Sequence, residues 1–127
     1  MIYLKRVYDK VDIKDGTRIL IDRLWPRGVR RSTSNIDLWL KDVAPSDELR
    51  KWFAHEKDKW PEFQRRYKEE LRTNKALDKL IDIALSTEPI TLLYASSDSS
   101  HNNAVVLYKV LQQRLEKIKK ISATSKA

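Results

Sequence analysis

The sequence contains no cysteine, only two glycines, one methionine and two histidines. Without cysteine there is no disulfide, no zinc–thiolate site and no thiol nucleophile, which fits a reducing compartment and argues against redox chemistry of the chain's own. His55 lies beside Glu56 and Asp58, but two histidines and no cysteine are a poor donor set, so no metal site is expected. No cofactor motif is present either. Long hydrophobic runs are also absent: Met1 to Tyr8 alternates and carries Lys5 and Arg6, which suits neither a signal peptide nor a membrane span. A cytoplasmic protein without membrane association is the expectation.

Charge is what the sequence has in abundance. Lysine and arginine number 26 against 18 acidic residues, giving +8 over 127 residues. Such an excess attracts polyanions at low salt. Heavy use of charged residues is equally the habit of proteins from hot environments, and a count over the whole chain does not locate a patch.

The length suits one domain with one core. Residues 2–8 read as a strand, Asp15-Gly16 as a turn, and residues 18–23, with the apolar run Ile19-Leu20-Ile21, as a strand buried on both faces. Ile36, Leu38, Trp39, Leu40 and Val43 form an apolar patch expected to make one or two helical turns. Ser46 is placed to cap a helix carrying Leu49, Trp52 and Phe53. Trp60-Pro61 opens a second, with Phe63, Tyr67 and Leu71 on one stripe, and Leu77 to Leu85 marks a third. Residues 90–95 read as a strand. After a polar run, Ala104 to Ile118 reads as a long amphipathic helix. The expected architecture is a single α/β domain over residues 1–121, with a small, mostly parallel sheet flanked by helices, followed by a flexible tail at 122–127.

A strand, a helical crossover and a second strand in one sheet make a parallel pair. Strands 18–23 and 90–95 fit that pattern, and ligand crevices of open α/β sheets lie beyond the carboxyl ends of the strands. The loops at 22–31 and 96–103 should therefore face one crevice. Arg23 and Arg27 offer guanidinium forks suited to phosphate or carboxylate. Trp25 offers a ring for stacking. Ser97, Asp98, His101 and Asn103 complete the ligand-binding set, while Asp22 and His101 are the candidate acid–base groups. An acid beside arginines is also their natural counter-ion, and the serine-rich loop lacks a nucleophile elbow, so a hydrolase triad is not expected.

Asp22-Arg23-Leu24-Trp25-Pro26-Arg27-Gly28 resembles the signature of the DUF488 family in its YeaO-like branch. Trp39-Leu40-Lys41-Asp42, Ala44-Pro45-Ser46, Leu49-Arg50, Phe63, Tyr67, Glu70-Leu71, Leu92-Leu93-Tyr94-Ala95 and Asn103-Ala104 with Leu107 resemble further landmarks in the same order. The resemblance runs from about Tyr3 to Leu115 and implies a compact α/β domain with a mostly parallel sheet. It implies no substrate or reaction.

The leading expectation is thus a phosphate-bearing or other anionic ligand, such as a nucleotide, held between loops 22–31 and 96–103, with an enzymatic role left open. Two alternatives stand beside it. One is a non-catalytic nucleic-acid-binding module using Arg30, Arg31, Lys117, Lys119 and Lys120; the other is a partner-binding or homo-oligomeric protein, recognisable by exposed apolar area.

Overall fold

The computed structural model describes residues 1–125. Four strands, β1 (Ile2–Arg6), β2 (Thr17–Leu20), β3 (Leu38–Trp39) and β4 (Ile90–Tyr94), form one parallel sheet in the order β1-β4-β2-β3. Between β3 and β4 lie helices α1 (Asp47–Phe53), α2 (Trp60–Leu71) and α3 (Lys75–Ser86), and α4 (Asn103–Ser125) closes the chain. The expected parallel neighbours are present, with Ile19 opposite Leu92 and Leu20 opposite Leu93. Strand-like hydrogen bonding continues past both strand ends, from the Val7 amide to the Tyr94 carbonyl and from the Ile21 amide to the Leu93 carbonyl.

One element differs from expectation. Leu38 and Trp39 are not helical; they pair in parallel with Ile19 and Leu20, and only Lys41–Val43 makes a single 3₁₀ turn. The Asp37 amide donates to the Arg18 carbonyl at 2.8 Å and the Leu40 amide to the Leu20 carbonyl at 2.9 Å. The free edge of β2 thus captures a short apolar run whose periodicity alone does not separate helix from strand. Helix α4 continues to Ser125, through most of the segment expected to be a tail; residues 126–127 lie outside the described residues.

Local chemistry fixes the helix starts as the sequence suggests. The Ser46 hydroxyl accepts from the Leu49 amide at 3.2 Å and itself donates to Glu70 at 2.6 Å, so α2 anchors the cap of α1. Asn74 and Asn102 cap α3 and α4 through the Leu77 and Val105 amides. Each such cap is worth about 1 kcal/mol.

All four helices lie on one side of the sheet. Ile19, Ile21, Leu92 and Tyr94 point that way and pack with Phe53, Phe63, Tyr67, Leu77, Leu80, Leu107 and Leu111. The opposite face has no α-helix among the described residues, only the 3₁₀ turns Ile13–Asp15 and Arg31–Thr33. There Val7, Leu20 and Leu93 are covered by Trp25, Val29, Ile36 and Trp39, all from the segment between β2 and β3 and β3 itself. An irregular segment therefore takes the place of a second helical layer. Deeper on this face, toward the strand starts, Asp15 pairs with Arg18 and Lys5, and the Thr91 hydroxyl donates to the Asp15 carbonyl at 2.7 Å.

Candidate functional site

The arginine-rich loop starts at Asp22, two residues past the end of β2. The Asp22 backbone carbonyl accepts from the Trp39 indole at 2.7 Å, while one carboxylate oxygen accepts from the Ala95 amide at 2.9 Å and the other from the Asn103 side chain at 3.1 Å. These bonds join the end of β2 to the end of β4 and to the first residue of α4. The two loops do meet, and Asp22 is where they meet.

Burial pushes the Asp22 carboxyl above the usual carboxylate range, against the pull of the Ala95 amide, the Asn103 side chain and nearby His55. Among the described residues it forms no ion pair with an arginine. Carbon-detected NMR titration should therefore place the Asp22 midpoint above 3.8. A midpoint at or below that value would mean that the hydrogen bonds outweigh burial.

Arg23 turns away from Asp22. Its guanidinium donates to the carbonyls of Pro45 at 3.2 Å and Ala44 at 3.3 Å, with Asp42 and Asp47 each 3.9 Å away. It braces the start of α1. Beneath it the Tyr67 hydroxyl donates to the Val43 carbonyl at 2.6 Å, fully buried, and its ionisation is pushed well up by burial and then by the charges of Asp22 and Glu70.

Trp25 is also occupied by packing. Its indole N–H donates to the Val29 carbonyl at 2.7 Å, its ring meets Trp39 edge-on at 5.4 Å, and the Arg31 guanidinium covers it at 4.7 Å. Arg27 is exposed; its carbonyl accepts from the Tyr8 hydroxyl at 2.8 Å, which ties the loop across to the end of β1.

On the second loop, Asp98 accepts from the amides of Ser100 at 2.9 Å and His101 at 3.0 Å, and its carboxylate also holds His101 Nδ1 at 3.1 Å. The Ser100 amide first, then the His101 amide and ring, hold the Asp98 carboxyl at about 2. With Nδ1 fixed on Asp98, Nε2 of His101 is the ring atom left for a ligand. The His101 ring lies edge-on to Trp60 at 5.3 Å. Ser97 is exposed on the same loop.

Three further residues join His101 in an aromatic cluster that no sequence pattern brings together. Trp60 stacks on Phe63 and packs against Phe53, and Phe53 in turn lies 6.1 Å from the His55 ring. The chain's two histidines thus flank one aromatic cluster. His55 is carried there by consecutive positive φ angles, 46° at Ala54 and 59° at His55. A backbone excursion in two non-glycine residues has no compositional signature. No group of acidic and histidine side chains suited to a metal occurs among the described residues.

The basic set Arg30, Arg31, Lys117, Lys119 and Lys120 is drawn from two elements, the loop after β2 and α4. Arg30 and Arg31 lie on the loop over the face without an α-helix, whereas Lys117 lies roughly 21 Å along α4 from Asn103 at a rise of about 1.5 Å per residue. No described helix is long and apolar enough to cross a membrane.

Comparison with known proteins supports the same frame. Residues 1–127 match the family described as "Inactive DUF488-N3 subclade". The chain belongs to the DUF488 family. It is 44% identical over 107 residues to "Uncharacterized protein YeaO" of Escherichia coli (strain K12), covering 84% of this chain and 92% of that one. It is 38% identical over 113 residues to "Uncharacterized protein Rv3073c" of Mycobacterium tuberculosis, covering 89% and 95%, and equally to "Uncharacterized protein Mb3100c" of Mycobacterium bovis. No solved structure matches significantly.

Proposed function

We propose that this DUF488 protein is a binding domain that takes a small ligand bearing a phosphate or other anionic group, such as a nucleotide, into the crevice between residues 22–31 and 96–103. The observation that carries this is the Asp22 carboxylate holding the Ala95 amide and Asn103, two residues along the chain from the Asp98-oriented imidazole of His101. Asp22 takes an O–H or N–H of the ligand, and the protonated imidazole of His101 donates from Nε2 to its anionic end. Arg23 supports α1 and does not touch the ligand; Trp25 shapes the loop.

Binding is favoured over catalysis for two reasons. Both Asp22 oxygens already accept hydrogen bonds, which suits a fixed recognition group better than one that shuttles a proton. The matching subclade is also described as inactive.

Thermal-shift measurements with inorganic phosphate, nucleotides and sugar phosphates test this. A ligand at a hundred times its dissociation constant stabilises by about 2.7 kcal/mol, a clear rise in Tm. His101→Gln is expected to weaken binding about tenfold or more, the scale of one charge-assisted hydrogen bond, and Asp22→Asn to weaken only ligands with a donor group. If no member of the panel raises the Tm of the wild type, or if His101→Gln leaves every rise unchanged, the crevice is not the ligand site.

A further inference from the structure

We infer that the loop following Asp22 carries a second, separate binding surface, an arginine ridge that grips the phosphodiester backbone of nucleic acid without reading its sequence.

Arg27, Arg30 and Arg31 fall within five residues and are all exposed. None has a carboxylate partner among the described residues, in contrast to Arg50, Arg65, Arg66 and Arg72, each held by an acid three or four residues before it. Three arginines this close in sequence without counter-charges leave a local positive field open to an outside anion.

The ridge is also held in shape. Arg31 lies over Trp25 at 4.7 Å and over Trp39 at 5.2 Å, with Lys41 at 5.5 Å from the same Trp39 ring. A guanidinium resting on two indoles keeps its N–H edges outward while its face is buried. The Arg27 carbonyl is pinned by Tyr8 and the Arg30 carbonyl by the Thr33 amide at 3.2 Å. Presenting charges from a fixed backbone lowers the entropy lost on binding.

The chemistry selects the partner. Guanidinium forks match phosphate bidentately. The indole faces are already covered by Arg31 and Lys41, so no platform is left for base stacking. Leu24, 60% exposed, is the one large apolar side chain exposed between Asp22 and Lys41, too little for the apolar face a membrane-surface segment needs. What remains is contact with the backbone, the sequence-independent mode.

Fluorescence anisotropy with a labelled 20-base-pair DNA duplex and its single strand measures this directly. Three neutralised phosphates give a log–log salt slope near about −2.7 for duplex, so affinity should fall roughly fortyfold between about 50 and 200 mM salt. Arg27→Gln/Arg30→Gln, which leaves Arg31 on its indoles, should cut that fall to roughly three- to fourfold. Lys117→Gln/Lys119→Gln, at the other end of α4, should match the wild type, and His101→Gln should too, which separates this surface from the crevice. The inference is overturned if no duplex or single strand binds at low salt, if the lysine pair weakens binding as much as the arginine pair, or if poly-glutamate or phosphatidylserine vesicles compete as strongly as DNA at equal charge.

Discussion

Gly16→Ala should be among the most damaging single-methyl additions to this protein, lowering its stability by more than about 3 kcal/mol. Gly16 closes the 3₁₀ turn Ile13–Asp15 at φ 64° and ψ −138°, a region open to glycine and closed to residues with a Cβ. Strain of that kind costs roughly 1–3 kcal/mol on its own. A Cβ would also lie 2.0 Å from the Pro89 carbonyl oxygen, the acceptor for the Thr17 amide at 3.1 Å. The turn and the first residue of β2 would have to part from the start of β4. Gly28 supplies the control, because it has φ 75° but nothing within 4 Å of its Cβ position. Gly28→Ala should cost only the backbone share. By circular dichroism the Gly16 variant should melt roughly 10 °C or more below the wild type, at about 4 °C per kcal/mol. Equal losses for both variants would show that the Pro89 contact contributes nothing.

Three of the four strands could be read from the sequence, and the fourth could not. Strands β2 and β4 are apolar on both faces, a pattern that survives without any partner being known. Their parallel pairing then follows from the length of the crossover. Strand β3 is two residues long and owes its existence to the open edge of β2, a tertiary cause that leaves no period in the sequence. The covering of the second face is a similar case. Trp25, Val29, Ile36 and Trp39 are spread over fifteen residues of mixed polarity, and only the fold makes them one cluster.

The candidate site divides along the same line. That loops 22–31 and 96–103 share an edge follows from parallel topology, and Asp22 with Asn103 makes the junction. What each polar side chain does there depends on backbone groups no pattern specifies. Arg23 finds the carbonyls of Ala44 and Pro45 because an irregular turn presents them, so a residue expected to contact ligand also braces the start of α1. Asp22, expected beside arginines as their counter-ion, instead satisfies an amide of β4 and an amide side chain of α4. The Asp98–His101 pair was visible as two residues three apart in a capping-rich loop, but its orientation toward Trp60 was not.

Asp15→Ala should produce a loss comparable to that of Gly16→Ala, by an electrostatic route. Asp15 and Arg18 are each only 4% exposed, and Lys5 adds a second positive charge at 3.1 Å. Taking away the one carboxylate leaves a buried guanidinium without a counter-charge, a change that typically costs about 3–5 kcal/mol. The Asp12 amide also loses its acceptor at 3.1 Å, which opens the capping box before Gly16. Arg18→Met in the same chain should recover much of the loss, since removing both charges takes away the uncompensated one. pH supplies a second check. Burial raises the Asp15 carboxyl, but the Asp12 amide, Lys5 and Arg18 together outweigh it and leave it below its ordinary 3.8. A carboxyl lowered on folding adds stability that is complete above its unfolded value and is lost as pH falls through the folded one. The gap between wild type and Asp15→Ala should thus be constant at neutral pH and narrow only below about 4. A gap that stays constant in acid, or a double variant no better than Asp15→Ala, would assign the loss to the turn and not to the buried charge.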